Sequence, residues 1–180
     1  MEPLTGQLLI SSANLFDPNF RRTVVLIGHH DDDGAIGVVL NQPLGVTVRE
    51  AVPPLGGLVT PEEQLFDGGP VEPASVVVLA DFLEPSRAQV IALGSIGFLP
   101  PDADGAISEA ISRARVYAGY AGWGPGQLEA ELEEDSWVVA PAFADDVFHA
   151  DPVRLWDDVL RRLGPRYDML RLMPRDPSMN

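Results

Sequence analysis

The most constraining stretch of this 180-residue sequence is residues 16–41, in which two apolar, β-favouring runs flank an acidic turn. The first run, Val24-Val25-Leu26-Ile27, is unbroken, which is typical of a strand buried on both faces. The second run covers residues 35–40. Between the two lies Asp31-Asp32-Asp33-Gly34, where the Asp-Gly pair favours a tight turn because glycine tolerates positive φ. The stretch therefore predicts a buried hairpin.

Further β-favouring runs are spread along the chain at residues 6–11, 75–80, 89–93, 96–99, 113–120 and 137–140. In residues 113–120, arginine alternates with small or apolar residues, so we expect a strand with an exposed basic side. Strands and helices do not alternate regularly, and this order predicts an α+β fold with a mixed, largely antiparallel sheet.

The clearest predicted helix covers residues 151–163. Asp151 is a suitable N-cap, and proline is common at the position that follows it. An apolar stripe follows at helical spacing, which predicts that Trp156 is buried; its members are Val153, Trp156, Val159, Leu160 and Leu163. A shorter helix is expected to open in Gly124-Pro125-Gly126, with Pro125 at its first position and Gln127 at its third.

Composition limits the function classes. The net charge is −15, and such a surface repels phosphate backbones, so direct nucleic-acid binding is disfavoured. There is no Cys, and all twelve cations are Arg, which excludes thiol chemistry and a lysine Schiff base. No apolar run approaches the ~18 residues of a membrane-spanning helix. We expect one cytoplasmic domain over residues 1–180, with a frayed tail at 174–180, no membrane association and no cofactor.

Three blocks of the sequence resemble the YqgE/AlgH family. They are Asp17-Pro18-Asn19-Phe20-Arg21-Arg22-Thr23 running on through His30 to Asn41, then Gly68-Gly69-Pro70-Val71, and finally residues 119–132. The resemblance implies a mixed sheet that curls into a partial barrel with helices packed around it. It also implies a link by name to regulation of polysaccharide synthesis, without an agreed biochemical activity. In a number of relatives the position of Gly28 carries Cys, and this chain lacks that thiol.

The run from His29 to Asp33 has the composition of a metal site. Adjacent strand residues point to opposite faces, however, so the side chains of His29 and His30 would diverge. The acids also lack the spacing of a calcium-binding loop. We therefore expect a solvated acidic turn without metal, and a structural role for His30 that bonds backbone near the turn.

Seven residues of the matching blocks are candidates for ligand binding: Asp17, Arg22, His30, Asn41, Trp123, Gln127 and Glu131. Each also has a structural interpretation, such as a turn at Asp17, a capping amide at Gln127 or a salt bridge at Glu131. We predict that Trp123 and Leu128 pack on residues 22–41, with Arg22 near a carboxylate, Glu131 being the candidate. A junction filled by internally paired groups is favoured over a pocket, and no catalytic residue is predicted.

Two functional hypotheses follow from these patterns. The first is a non-enzymatic protein that acts through contacts with a protein or small molecule, with regulation as one such role. The second is an enzyme or a nucleotide or small-anion binder with a pocket formed by the matching blocks. An enclosed pocket with converging polar groups would favour the second hypothesis, and an apolar surface patch would favour the first.

Overall fold

A computed structural model describes residues 1–15 and 17–174. Its ten strands are β1 (Gln7–Ser11), β2 (Val24–Asp31), β3 (Gly34–Val39), β4 (Pro43–Thr47), β5 (Gln64–Asp67), β6 (Val71–Phe82), β7 (Val90–Leu93), β8 (Ile96–Phe98), β9 (Ile111–Trp123) and β10 (Trp137–Pro141). The main path of the sheet is β10-β1-β2-β3-β9-β6-β8-β7. Strand β5 pairs in parallel with β9 and antiparallel with β4, and the strand pairs along the main path are antiparallel. The predicted α+β class with a largely antiparallel sheet is confirmed.

The sheet curls on itself without closing into a barrel. Strand β7 ends the sheet order, yet it lies in contact with β2. The predicted hairpin is β2 and β3, in which Asp31 pairs with Gly34 and two aspartates form the turn. The register shifts between Ile27 and His29, which places a bulge at Gly28. Such a bulge increases the local bend of a strand.

In the described part of the chain, five short α-helices accompany the sheet: α1 (Val48–Ala51), α2 (Gln127–Glu133), α3 (Ala144–Val147), α4 (Leu155–Leu163) and α5 (Asp168–Leu172). Helix α1 begins with a capping box, in which Thr47 and Glu50 bond each other's main chain. Helix α2 begins at Gln127, so this residue is the first helical residue and not the third as predicted.

The last predicted helix is confirmed only from Leu155 onward, because Pro152–Arg154 forms a 3-10 turn. Asp151 occupies the N-cap position of this 3-10 turn, as predicted, but its side chain makes no capping bond. Val153 is exposed and does not belong to the apolar stripe. Trp156 is buried as predicted, and its indole N–H donates to the Ser11 carbonyl over 3.1 Å.

The two faces of the sheet are covered by different helices. Leu8, Ile10 and Leu26 pack with Trp156 and the other apolar residues of α4. The alternate residues of the same strands, among them Leu9, pack with the α2 side of the sheet. Successive strand residues point to opposite faces, so the unbroken apolar runs of β1 and β2 are buried on both sides. The sequence predicted this burial for the β2 run.

Arg115 on β9 links three parts of the chain. Its guanidinium donates to the Glu63 carboxylate over 3.0 Å, and to the carbonyls of Val147 and His149 over 3.1 and 2.7 Å. The predicted exposed basic side of this strand is therefore wrong at Arg115, whose side chain is only 11% exposed. An arginine can lie this deep because its several N–H groups are bonded to oxygen acceptors.

Within the described ranges, no helix has the length and apolar character needed to cross a bilayer. Residues 175–180 of the predicted frayed tail lie outside the described part of the chain.

Candidate functional site

The curled sheet carries an apolar groove with a volume of about 510 Å³. It lies between the β2–β3 hairpin on one side and strands β6, β7 and β8 on the other. We call it the Phe98 groove and define it by its six main apolar residues, Ile36, Val38, Val76, Val78, Val90 and Phe98. Ligand pockets in proteins are typically ~300–1,000 Å³ and mostly apolar. The groove has the size and character of a binding site.

Gly28 sets the shape of the groove floor. A Cβ atom at Gly28 would lie 2.6 Å from the ring of Phe98, so the bulge brings the ring directly onto the β2 backbone. Only a residue without a side chain permits this approach unless the ring moves. Gly28 is therefore a packing position in this chain, and the groove has no thiol there.

The polar rim of the groove consists of His29, Gln89 and Tyr120. Burial, together with the neighbouring Glu72 carboxylate, raises the pKa of the Tyr120 hydroxyl. His29 bonds Asp31 over 2.7 Å, and this bond lowers the pKa of the Asp31 carboxyl. His29 and Tyr120 also line an adjoining hollow of about 420 Å³ that includes Asp31 and Asp33. One end of the groove thus opens toward acidic side chains.

Two of the three family-like blocks, residues 17–41 and 119–132, meet elsewhere, on the α2 side of the sheet. In the third block, Gly68 and Gly69 lie against the β9 backbone at Gly119 and Tyr120. Trp123 pairs with Ala35 in the β3–β9 ladder, and Leu128 lies in one cluster with Ala35, Val25 and Ile27. The predicted packing of Trp123 and Leu128 on residues 22–41 is confirmed. The rings of Phe20 and Trp137 complete this junction: they lie 6.2 and 6.0 Å, respectively, from the ring of Trp123.

Glu131 is the polar centre of this junction. One of its carboxylate oxygens accepts from the indole N–H groups of Trp123 and Trp137, over 2.8 and 2.7 Å. The other accepts from the side-chain amide of Gln127 over 3.3 Å. Gln127 in turn accepts from the Gly124 N–H over 3.0 Å, which confirms its capping role. Trp137 is absent from the matching blocks and was missed from the sequence.

The predicted proximity of Arg22 to Glu131 is wrong. The guanidinium of Arg22 lies over the ring of Trp156, with its central carbon 4.8 Å from the ring centre, and it also donates to the Met173 carbonyl. Arg22 has a positive φ of 48° in the turn before β2. The Glu131 carboxylate accepts hydrogen bonds from the indoles of Trp123 and Trp137 and from the Gln127 amide, and not from Arg22.

His30 is buried, with 5% of its surface exposed, and both ring nitrogens are bonded. The Leu4 N–H donates to Nδ1 over 3.1 Å, so the proton of the neutral ring lies on Nε2 and faces Glu129 over 2.8 Å. The role is structural and involves backbone, as predicted, but the backbone belongs to the N-terminal segment and not to the turn. Bonds from the main-chain N–H of Glu129 and from His30 lower the pKa of the Glu129 carboxyl.

Asp17 and Asn41 both stabilise turns. Asp17 accepts from the Asn19 main-chain N–H over 2.9 Å at the start of a 3-10 turn. Asn41 accepts from the Val24 N–H over 3.0 Å and donates to the Arg22 carbonyl over 2.8 Å. These bonds match the structural interpretation of both residues.

His29 and His30 lie on opposite faces of β2, one exposed and the other buried, as the alternation of strand side chains predicts. Among residues 1–15 and 17–174, no three His, Asp or Glu side chains converge in a way that could hold a metal ion.

The structure thus defines an α+β protein with a partly curled mixed sheet, an apolar groove at its mouth and a filled polar junction on one face. A family model described as AlgH-like matches residues 8–168, and the chain belongs to this AlgH-like family. The predicted membership is confirmed.

Relatives match over almost the full length. A UPF0301 protein of Streptomyces avermitilis is 40% identical over 189 residues, covering 98% of this chain and 95% of the relative. A UPF0301 protein of Chlorobaculum tepidum is 39% identical over 186 residues, covering 97% and 95%.

Two solved structures share the fold. A crystal structure of a protein from Corynebacterium diphtheriae has a TM-score of 0.85 and 30% identity, covering 96% of this chain and 94% of that one. The solution structure of AlgH from Pseudomonas aeruginosa has a TM-score of 0.73 and 29% identity, covering 96% and 95%.

Proposed function

We propose that this protein acts without covalent chemistry, by holding an apolar segment of a partner protein in the Phe98 groove. The observation that supports this proposal is the groove itself. Its walls carry Ile36, Val76 and Val90 with 46%, 41% and 46% of their surfaces exposed, close together around one concavity. Exposed aliphatic residues that converge on a groove are typical of sites for protein or ligand contact.

The rim supports recognition in preference to catalysis. Tyr120 and Gln89 supply hydrogen-bonding groups beside apolar walls, which can orient a bound segment. The proposal includes the predicted cytoplasmic location and assigns regulation to contact with a partner protein. A chain with a net charge of −15 is poorly suited to direct DNA contact.

The second hypothesis, an enzyme or a nucleotide or small-anion binder at the matching blocks, has less support. The acceptors and donors of His30, Asn41 and Glu131 are engaged with neighbouring residues of this chain. A ligand would have to displace those bonds, and each buried group left unpaired costs ~1–3 kcal/mol.

The test is the selection of binders from a random peptide display library, followed by affinity measurements on two variants. Val90→Glu places a charge on the groove wall, while Val139→Glu makes the same change at a similarly exposed strand position outside the groove. We expect apolar peptides that bind the wild type and Val139→Glu equally, and bind Val90→Glu at least tenfold more weakly, because a carboxylate opposes apolar burial. Equal binding to all three proteins, or no selected peptide, would contradict the proposal.

A further inference from the structure

The edge of β6 beside the Phe98 groove is open, for a reason that lies in the sequence. The β6–β8 ladder pairs Leu79 with Phe98, and its last bond runs from the Leu99 N–H to the Val78 carbonyl over 3.0 Å. Pro100 and Pro101 follow. Proline has no N–H to donate, so the segment that follows β8 cannot continue the ladder along β6.

Val76 is the next residue whose main chain faces this open side. Antiparallel strands direct the main-chain groups of successive residues to alternate neighbours. Val78 bonds toward β8, so Val77 bonds toward β9 and Val76 again faces outward. Across the described ranges, no backbone bond extends the β6–β8 ladder to Val76. Its N–H and C=O are free to pair with another strand.

The open edge and the groove are adjacent, since Val76, Val77 and Val78 line the groove. An extended peptide that pairs with Val76 would direct alternate side chains into the groove and the others outward. Main-chain bonds then supply affinity and the apolar pocket supplies selectivity, as in known cases of strand addition. An exposed edge with aliphatic side chains is a ready template for such pairing.

The charges around the groove specify what such a peptide would carry. Asp31 and Asp33 lie in the hollow that shares His29, Ile36 and Tyr120 with the groove. Glu72 stands beside Tyr120, and the whole chain has a net charge of −15. A segment with basic residues at one end would meet complementary charge there, and a second acidic copy of this chain would meet repulsion.

We propose that the partner segment is an extended peptide with apolar residues at alternate positions and arginines or lysines at one end. This inference rests on the proposed function. It adds as a strand to the open edge of β6 at Val76 and places its basic end toward Asp31 and Glu72.

The test uses two fluorescein-labelled probes, Arg-Arg-Val-Thr-Val-Thr-Val and Val-Thr-Val-Thr-Val-Arg-Arg, in anisotropy titrations with the full chain. We expect one of them to bind, which also gives the direction of the added strand. Replacing both arginines by glutamate should weaken binding at least tenfold. N-methylation of the central valine should have the same effect, because it removes a main-chain donor without touching the protein.

Val76→Pro removes the outward N–H and leaves the β9 side of β6 unchanged. The matched control is Val139→Pro on β10, at the other end of the sheet. Val139 is 39% exposed, against 41% for Val76. It also faces an open edge, because the Ser12 N–H bonds the Ser136 carbonyl and the alternation then points Val139 away from β1. We expect Val76→Pro to bind the probe at least tenfold more weakly than the wild type, and Val139→Pro to bind it as well as the wild type. The circular dichroism spectra of both variants should match that of the wild type.

The outcomes separate this inference from the proposed function. If library-selected peptides require Val90 but the probes bind without regard to N-methylation, strand addition is overturned and groove binding stands. If neither probe binds, or charge reversal has no effect, the inference is also overturned. If sedimentation instead shows dimers that Val76→Pro abolishes, the occupant is a second copy and the peptide proposal is wrong.

Discussion

Replacing Glu131 by alanine should destabilise the fold, because one carboxylate oxygen accepts from two buried indoles. Trp123 and Trp137 are 6% and 5% exposed, and their N–H groups lie 2.8 and 2.7 Å from this oxygen. A buried donor left without a partner costs ~1–3 kcal/mol, so two give ~2–6 kcal/mol. Glu131 is itself half-buried, and water can reach part of the vacated space. We therefore expect a loss of about 2–4 kcal/mol in the free energy of unfolding.

The assay is urea unfolding followed by far-ultraviolet circular dichroism, because tryptophan fluorescence would itself respond to the lost bonds. Glu133→Ala is the matched control, since Glu133 lies on the same helix and is exposed. Its effect should stay within ~0.5 kcal/mol. Glu131→Gln retains one acceptor oxygen and should fall between the two.

A second measurement tests the mechanism of the loss. In proton–nitrogen correlation spectra of Glu131→Ala, the indole N–H signals of Trp123 and Trp137 should shift, while that of Trp156, bonded to the Ser11 carbonyl, should stay in place. An unfolding midpoint equal to that of Glu133→Ala, with unmoved indole signals, would refute the assigned role of Glu131.

Three further expectations follow. Trp156→Ala should cost ~3–5 kcal/mol of stability by chemical unfolding, as for other large core truncations, and an unchanged midpoint would contradict its burial. The Arg171 guanidinium lowers the pKa of the Asp157 carboxyl, so this pair stabilises the fold at neutral pH, and the contribution is lost as pH falls through that lowered pKa. Asp157→Asn should therefore reduce the loss of unfolding free energy at acid pH, measured by urea unfolding across a pH series, and an unchanged pH dependence would contradict this role. Duplex DNA should show no sub-micromolar, salt-sensitive complex in an anisotropy titration.

Local patterns determined the strands well. The unbroken run Val24-Val25-Leu26-Ile27 lies in a strand buried on both faces, and the acidic turn joins it to β3. The alternation of side chains along β2 was sufficient to predict that His29 and His30 lie on opposite faces of the strand. These features depend on near neighbours in the chain, and hence a single sequence contains the necessary information.

Prediction from the sequence failed where elements that are far apart in the chain come into contact. Glu131 bonds two indoles because α2 packs where the ends of β9 and β10 converge, and no spacing in the sequence indicates that convergence. Arg115 lies in an alternating pattern that predicted exposure, yet acceptors from two remote segments surround it. A polar side chain can be buried only where hydrogen-bond partners surround it, and the tertiary fold determines where those partners lie.

The sequence by itself determined the family resemblance and the burial of the β2 run on both faces of the sheet. It also determined the net negative charge and the absence of thiol and lysine chemistry. Only the tertiary structure showed that Trp137 completes the predicted junction through Glu131, and that the β2–β3 hairpin forms a groove with β6, β7 and β8. The physical reason is that apolar residues look alike in sequence whether they are buried or exposed. Val76 and Val78 belong to one β-favouring run, and the curl of the sheet together with Pro101 leaves Val76 at an open edge.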